Sequence, residues 1–368
     1  MKTINTFKQL IRVKKSRGHC SLCGCLSNQS PKFEYVGKRK YSSEKKSGDI
    51  EIQTKMKAWQ IYQYGGNEQL TLTSTARIPK ITSPSDILVK VLAASVNNID
   101  VRMRGGYGKM ALNALRRGPN LMANNSEFPL VLGRDFSGIV VETGQNVKKF
   151  KPGDEVWGAL SAARQGTHAE FTVTSESEIS KKPSTISHTE AASLPYVATT
   201  TWSALCTIGQ LSESNTHNKR ILIHGGSGGI EVTAICSTDA VDLLYSLGAD
   251  VVLDYTKQDL KEELGKIKGF DVIYDTLGKR KAGYSYKYLR PWSSSKFISI
   301  VHPLLSNLDE SGVPFGLLKT GVDAASYGLR TGHHYSWAIF IPNGKALSKI
   351  ASMVDNGQIK PVVDKLND

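Results

Sequence analysis

Residues 219–230 read Lys-Arg-Ile-Leu-Ile-His-Gly-Gly-Ser-Gly-Gly-Ile, an apolar run that leads directly into four glycines. A strand followed at once by clustered glycines is typical of a dinucleotide-binding turn. Glycine permits the tight turn and lets the backbone approach a pyrophosphate at the N-terminus of the next helix. The spacing G-G-S-G-G is not a complete G-x-G-x-x-G motif, and such a turn also fits an ordinary loop.

The chain after Ile230 is too short for an intact unit of this kind. Only Glu231 separates the turn from the apolar stretch 232–236, whereas neighbouring parallel strands are usually joined by about a dozen residues or more. Two outcomes are open: 232–236 is a strand that cannot pair in the usual place, or 230–247 forms a replacement helix that ends at Gly248. We favour the helix, because it leaves fewer buried backbone groups unpaired.

The charge of the chain is concentrated at its beginning. The 368 residues suggest about two domains, and the formal net charge is +14. Residues 1–40 hold ten Lys or Arg and one acid, Glu34, so they account for +9 and the rest of the chain for +5. A mildly basic body argues against a nucleic-acid-binding protein. No run approaches the roughly 18 apolar residues that cross a bilayer.

The basic beginning of the chain, which has no acid over residues 1–33, predicts a mitochondrial transit peptide over residues 1–41, with cleavage after Tyr41 and delivery to the matrix. A disordered basic tail is the alternative. The cluster Cys20, Cys23 and Cys25 beside His19 lacks the second ligand pair of a closed zinc site, so we predict no metal there.

The next part of the chain predicts a β-rich domain. Residues 57–62, 86–96, 138–142 and 155–158 read as short strands separated by Gly and Pro turns. Three motifs lie around them: Ala94-Ser95-Val96-Asn97-Asn98-Ile99-Asp100, Leu132-Gly133-Arg134-Asp135-Phe136-Ser137-Gly138 and Phe150-Lys151-Pro152-Gly153-Asp154. Together these motifs resemble the medium-chain dehydrogenase/reductase superfamily, in its zinc-free, quinone-oxidoreductase-like branch.

The resemblance implies an α/β fold: a GroES-like β domain, then a Rossmann-type doubly wound parallel sheet with a shortened unit, and a cofactor cleft between them. It also implies a longer return segment than the one that ends at Asp368. The domain boundaries that we predict are a linker over 42–55, the GroES-like domain over 56–187, the Rossmann domain over 188–350 and a short return segment over 351–368.

Zinc-dependent members of the family hold their metal with Cys and His at the first two motifs. Here those motifs offer Asn98, Asp100, Arg134 and Asp135. Arg134 is a permanent cation, which repels Zn²⁺, so we predict no zinc. Asn97 matches a position in the substrate pocket of zinc-free relatives, and an Asn in a turn is the alternative.

The resemblance also implies NADPH contacts. They fall in the phosphate turn, at strand ends and in a late aromatic segment: Ser227, Gly229, Ile230, Ser237, Tyr255, Thr276, Ile300, Ala338 and Phe340. No acid ends the stretch 232–236 to hold a ribose hydroxyl, which favours NADPH over NADH. The pair His333-His334 is expected to lie on the surface or in packing.

Together these features imply zinc-independent hydride transfer from NADPH to a quinone or a similar conjugated carbonyl. The resemblance links this chemistry to ubiquinone biosynthesis and implies a membrane-protein partner, a reticulon. A different class is also open: a non-catalytic interaction protein, or a splice or gene-model variant without a competent cofactor site. The sequence predicts neither the individual substrate nor an oligomeric state.

Overall fold

The computed structural model describes residues 54–363, apart from the segments 118–126, 225–230 and 279–282 and positions 213, 217, 268, 292 and 332. The strands are β1 (Lys55–Ile61), β2 (Thr71–Arg77), β3 (Asp86–Ala93), β4 (Leu130–Val131), β5 (Asp135–Thr143), β6 (Glu155–Ala159), β7 (Phe171–Ser175), β8 (Ile179–Lys181), β9 (Arg220–His224), β10 (Glu231–Cys236), β11 (Val251–Asp254), β12 (Val272–Asp275), β13 (Lys296–Ser299) and β14 (His334–Trp337). The helices are α1 (Asn98–Arg104), α2 (Lys109–Arg117), α3 (His188–Ala192), α4 (Pro195–Trp202), α5 (Val241–Ser246), α6 (Leu260–Ile267), α7 (Leu304–Thr331) and α8 (Gly344–Asp355).

The first part of the fold consists of two antiparallel sheets, with the strand orders β2-β1-β4 and β7-β3-β5-β6-β8. Lys90 of β3 lies opposite Ile139 of β5 on one side and Phe171 of β7 on the other. The core of the larger sheet includes the fully buried Val89 and Phe136. All four strands predicted for this part of the chain are present, because short alternating runs between turn residues specify them locally.

The second part is a six-stranded parallel sheet in the order β11-β10-β9-β12-β13-β14. With β9 counted as the first strand, this is the order 3-2-1-4-5-6 of the doubly wound dinucleotide-binding fold. Leu222 and Ile223 of β9 are both fully buried, as expected of a strand covered on both faces. The predicted fold class, a GroES-like β domain with a Rossmann-type parallel sheet, is therefore confirmed.

The helix predicted over 230–247 is wrong. Residues Glu231–Cys236 form β10, which pairs in parallel with β9 and with β11, so that Thr233 lies opposite both Leu222 and Val251. The alternative, a strand unable to pair in the usual place, is also wrong, because β10 occupies the position of the second strand in the sheet.

Chain reach and burial explain this result. The end of β9 and the start of β10 are offset by about four strand residues, ~13 Å, and the seven Cα steps from position 224 to position 231 can reach ~23 Å. Distance therefore permits the pairing, although six residues leave no room for a crossover of the usual length. The two neighbouring strands also pair the backbone of β10, whose Val232 and Ala234 are fully buried. The short helix α5 follows, and Gly248, at φ 93°, ends it as predicted.

Two further helices, α7 and α8, follow β13 and β14 in the chain. α7 consists of two helical segments, because Gly312 interrupts it with φ 75° and ψ 173°. α8 contributes Leu347 and Ile350 to a core cluster that also contains Trp157 of β6 and Leu194, so this cluster joins the two parts of the fold. Within the described ranges, no helix combines the length and apolar character that crossing a membrane requires.

Candidate cofactor and substrate site

The carboxyl ends of the parallel strands lie along one edge of the sheet, where open α/β folds bind their ligands. Five residues predicted to contact a nucleotide each follow directly on the last residue of a strand, from β10 to β14. In chain order they are Ser237, Tyr255, Thr276, Ile300 and Ala338. The structure therefore brings all five to one edge. The predicted phosphate-turn residues lie outside the described residues: Ser227, Gly229 and Ile230.

Asp275 organises the centre of this edge. Its buried carboxylate accepts hydrogen bonds from the hydroxyl of Ser299 at 2.8 Å and from the amide of Leu277 at 2.8 Å. Its carbonyl oxygen accepts the amide of Ile300 at 3.0 Å. These bonds tie the ends of β12 and β13 together and fix the backbone on both sides of Thr276.

The end of β10 is richer in acids than the strand itself suggests. The hydroxyl of Ser237 donates to the carboxylate of Asp239, and that of Thr238 donates to Asp254 at 2.5 Å. The sequence favours NADPH because no acid lies at the end of β10. In the structure, however, the carboxylate of Asp239, two residues after Ser237, contacts the hydroxyl of Ser237. A negative charge next to Ser237 opposes a 2′-phosphate there.

The residue types along this edge fit a nicotinamide dinucleotide. Ser237 and Thr276 carry hydroxyl groups, which suit ribose or phosphate oxygens. Ile300 and Ala338 carry apolar side chains, which suit the face of a nicotinamide ring, and Ala338 is small enough to leave room for one. A bound nicotinamide supplies the hydride, and the residues of the chain supply its orientation.

Opposite this edge, the first part of the fold presents a buried acid, Asp135, at the start of β5. Its carboxylate accepts hydrogen bonds from the hydroxyl of Ser95 at 2.7 Å, the side-chain amide of Asn97 at 2.8 Å and the backbone amide of Tyr196. Burial raises the pKa of Asp135 to about 7, although the hydrogen bonds from Asn97 and Ser95 act in the opposite direction.

Asn97 thus has two structural tasks. It precedes α1 as the N-cap residue, with its backbone amide donating to Asp100 at 2.8 Å, and its side-chain amide is held by Asp135. Asn97 therefore takes the turn position that the sequence suggests, and its side-chain amide is fixed by Asp135. A half-buried Asn with a fixed amide group can orient a neighbouring polar ligand.

Two aromatic rings connect this acid to the edge of the sheet. The ring of Tyr196, in α4, lies 4.4 Å from the ring of Phe340, centroid to centroid, at an interplanar angle of 31°. Phe340 lies three residues beyond β14. A continuous series of contacts therefore runs from Asn97 through Asp135 and Tyr196 to Phe340, and it joins two predicted site residues from opposite parts of the fold.

Arg134 is completely buried next to this series. Its Nη1 donates to the carbonyl oxygen of Ser161 at 2.7 Å, and its Nε lies 3.8 Å from a carboxylate oxygen of Asp100. Burial lowers the pKa of Arg134 to about 10, so the guanidinium remains protonated near neutral pH. Among the described residues there is no group of three or more His, Cys, Asp or Glu that could hold a metal ion.

Two residues at this cleft, Tyr107 and His302, are not among those predicted from the sequence. The hydroxyl of Tyr107 donates to the carbonyl oxygen of His302 at 3.3 Å, across the two parts of the fold. The His302 ring lies 4.8 Å from that of Trp337, the last residue of β14. The available signal was the pair His302-Pro303, two residues after the strand end predicted at Ile300. His334, by contrast, is exposed at the start of β14, as predicted.

A carboxylate of α7 closes one side of the cleft. Asp309 accepts the amides of Gly108 at 2.5 Å and Met110 at 3.1 Å, at the start of α2. An open cavity of about 330 Å³ lies here, and Arg102, Tyr107 and Asp309 contribute to its walls. The cleft is thus bounded by α1 and α2 on one side and by α7 and the strand ends on the other.

Comparisons with known proteins agree with this architecture. Residues 83–184 match the family model described as "Alcohol dehydrogenase GroES-like domain", and residues 247–367 match the model described as "Zinc-binding dehydrogenase". The solved quinone oxidoreductase structure from Coxiella burnetii superposes with a TM-score of 0.65 at 23% identity, over 84% of this chain and 90% of that one. At this identity the likeness shows the fold.

Two curated relatives are similar over most of their length. The protein named "NAD(P)H oxidoreductase RTN4IP1, mitochondrial" from Mus musculus is 45% identical over 328 residues, which cover 85% of this chain and 83% of its own. The "2-methylene-furan-3-one reductase" from Solanum lycopersicum is 31% identical over 339 residues, which cover 86% of this chain and 74% of its own. With both domain models in order and relatives this similar, the chain belongs to the medium-chain dehydrogenase/reductase superfamily, in the group of the mitochondrial RTN4IP1 oxidoreductases.

Proposed function

We propose that the chain is a zinc-independent, NADPH-dependent oxidoreductase that transfers hydride to a quinone or a similar conjugated carbonyl. One observation carries the proposal: five strand-end residues, from Ser237 to Ala338, share the ligand-binding edge of a parallel sheet. The relatives support it, since they are named an NAD(P)H oxidoreductase and a reductase of a 2-methylene-furan-3-one, a conjugated carbonyl compound.

The zinc-independent chemistry rests on Arg134. In the proposed enzyme this buried guanidinium takes the place in the second motif where zinc-dependent relatives supply a metal ligand. Its hydrogen bond to Ser161 and its proximity to Asp100 hold it in place, and its fixed charge disfavours a divalent cation. Hydride transfer from a nicotinamide needs no Lewis acid from the protein.

The roles of the remaining residues follow from their positions. Thr276, Ile300 and Ala338 hold the nicotinamide half of the cofactor, and Ser227, Gly229 and Ile230 are the proposed phosphate-turn contacts. Ser237 and Tyr255 lie on the adenosine side. Asn97, held by Asp135, faces the substrate, and Phe340, against Tyr196, is a further contact of the cofactor. The division into domains at 56–187, 188–350 and 351–368, after a linker at 42–55, is part of the same proposal.

We further propose that the protein acts in the mitochondrial matrix after removal of residues 1–41. The acid-free, basic composition of the first 33 residues and the word "mitochondrial" in the name of the mouse relative support this location. The link to ubiquinone biosynthesis and a reticulon as a membrane-protein partner belong to the same proposal. A fusion of residues 1–41 to a fluorescent protein tests the location: it should enter mitochondria, and a cytosolic fusion would contradict the proposal.

Cofactor binding is tested by titrating the full chain with NADPH and following cofactor fluorescence. We expect saturable binding at micromolar concentrations, and Ser237→Asp should weaken it about tenfold, since like charges within about 4 Å repel by at least 1 kcal/mol. Ser246→Asp places the same charge at the exposed end of α5 and should leave the affinity unchanged. Quinone and enone reduction is then assayed with the same samples.

The six-residue connection between β9 and β10 favours one competing function, a non-catalytic interaction protein. A folded chain that binds neither NADPH nor NADH would support this alternative and overturn the oxidoreductase proposal. A chain that binds NADPH but reduces neither a quinone nor an enone would overturn the substrate class alone.

A further inference from the structure

His302 occupies a position between the two walls of the cleft. It lies three residues beyond β13, at the carboxyl edge of the parallel sheet. Its ring packs at 4.8 Å against that of Trp337 at the end of β14, and its backbone carbonyl accepts the hydroxyl of Tyr107 from the opposite wall. Any molecule that lies between the strand ends and the loop before α2 is therefore close to this imidazole.

The hydrogen bonding of the ring fixes its tautomer. Nδ1 of His302 accepts the backbone amide of Leu304 at 2.9 Å, so Nδ1 carries no proton and the hydrogen of the neutral ring is on Nε2. Leu304 is the first residue of α7, and the positive end of a helix disfavours a protonated imidazole. Burial likewise lowers the pKa of His302. All three effects keep the ring neutral.

The remaining nitrogen is available to a ligand. Nε2 of His302 has no hydrogen-bond partner among the described parts of the chain, and the side chain is only partly buried. The other polar group nearby, the hydroxyl of Tyr107, already donates its hydrogen to the carbonyl oxygen of His302. The imidazole is thus a neutral donor that this part of the cleft can offer to a substrate oxygen.

We propose that Nε2–H of His302 donates a hydrogen bond to the carbonyl oxygen of the substrate and stabilises the negative charge that develops there. This inference rests on the proposed function, hydride transfer to a conjugated carbonyl. A neutral imidazole placed at a helix N-terminus is suited to polarise a carbonyl group, because it donates a hydrogen bond without giving up its proton.

In an enone substrate, the β-carbon gains a hydride, which brings one hydrogen and its two electrons, from the reduced nicotinamide, which is thereby oxidised. The carbon–carbon π pair moves to form the enolate double bond, and the carbonyl π pair moves onto the oxygen that His302 contacts. A proton from water then adds to the α-carbon. His302 keeps its own proton throughout, so the product leaves the ring unchanged.

The test compares full-length His302→Leu, which has no donor, with His302→Gln, which retains an N–H group, using methyl vinyl ketone and 1,4-benzoquinone as substrates. Removing one preorganised donor to an oxyanion costs about 10²–10³ in kcat. At this partly exposed position we expect a loss of about 10- to 100-fold in kcat for His302→Leu, with partial recovery in His302→Gln. The Kd of both variants for NADPH should change less than about twofold. An unchanged Kd also shows that the variants are correctly folded.

The matched control is His334→Gln, which changes an exposed histidine at the opposite end of β14 and should retain the wild-type kcat. An active wild type with an unchanged His302→Leu variant would overturn this inference alone. An inactive wild type would overturn the proposed function and this inference together. Imidazole ¹⁵N spectra of the full chain provide a readout apart from activity: an Nδ1-protonated His302 at neutral pH would contradict the donor assignment.

Discussion

The carboxylate of Asp309 accepts the backbone amide of Met110 at 3.1 Å, although the two residues belong to opposite walls of the cleft. The same carboxylate accepts the amide of Gly108, so an acid of α7 caps the N-terminus of α2. Such a cap replaces water as the partner of amides that no helical carbonyl can reach. The cap joins the two parts of the fold at the cleft.

Asp309→Ala should lower the free energy of unfolding by about 1 kcal/mol, the typical cost of losing an N-cap acceptor. The control is Glu310→Ala, which removes the neighbouring acid and its exposed ion pair with Lys319. A surface pair of this kind contributes about 0–1 kcal/mol. Urea unfolding of both variants measures the difference. An Asp309→Ala variant as stable as the wild type would show that the cap does not hold the walls together.

Asp135 predicts a specific pH dependence of stability. Its folded pKa of about 7 exceeds the usual value of about 3.9, so the folded chain binds more protons than the unfolded chain between these values. The contribution of Asp135 to stability is therefore complete below about pH 4 and is lost as the pH rises through about 7. The stability of the wild type relative to Asp135→Asn should fall across this range and remain constant above it.

Asp355 provides a contrast of opposite sign. Burial acts to raise its pKa, but hydrogen bonds from Thr185 and Ser184 outweigh it and lower the pKa below 3.8. Its stabilising contribution is present above that value and is lost as the pH falls through the folded pKa. The stability of the wild type relative to Asp355→Asn should therefore increase with pH in the acid range. If the stability of the wild type relative to Asp135→Asn changed with pH in the same direction as its stability relative to Asp355→Asn, the raised pKa of Asp135 would be contradicted.

Asp239→Asn should tighten the binding of NADPH about fivefold, because the carboxylate next to Ser237 repels a 2′-phosphate with an energy of about 1 kcal/mol in high dielectric. The Kd for NADH should change little, since NADH lacks that phosphate. Asp242→Asn, in the exposed part of α5, produces the same change in net charge and serves as the control. An equal effect of the two variants would indicate a general charge effect rather than a contact at the end of β10.

Gly133 precedes Arg134 and Asp135, and its backbone has φ 94°. A Cβ at this position would lie 2.5 Å from the ring of His168 and 2.5 Å from the hydroxyl of Thr167. We expect Gly133→Ala to lower the free energy of unfolding by about 1–2 kcal/mol for the left-handed backbone and by about 1–3 kcal/mol more for the overpacking.

Gly153 is a matched control for this substitution, because it has nearly the same backbone angle, φ 93°, and open space around it. Gly153→Ala should therefore lower the free energy of unfolding only by the cost of the left-handed backbone. Chemical denaturation of the two variants separates the two effects. If Gly133→Ala were no more destabilising than Gly153→Ala, the packing around the motif would be looser than the structure shows.

Much of the fold follows from local sequence signals. The strand ends at Tyr255, Thr276 and Ile300 could be located because each follows an apolar run, and parallel strands bring such ends to one edge. The error at Glu231–Cys236 has a physical cause. The rule for crossover length describes connections that contain a helix, whereas here the burial of the apolar run on both faces decides the outcome.

The remaining parts of the candidate site depend on contacts between distant segments. The bond from Tyr107 to His302 and the cap that Asp309 provides for α2 each join residues about 200 positions apart. No periodicity or motif spacing encodes such a pairing. The same holds for Asp135 and Tyr196, because the acid lies within a recognised motif while its partner is a backbone amide, which any residue type would supply.

The short connection between β9 and β10 also bears on the order in which the sheet assembles. Arg220 and Glu231 pair in parallel within a dozen positions of each other, whereas most parallel pairs must close a much longer loop first. Loop-closure entropy increases with the length of the loop, and folding slows as contacts become less local. This strand pair can therefore form earlier in folding than the parallel pairs that must close longer loops.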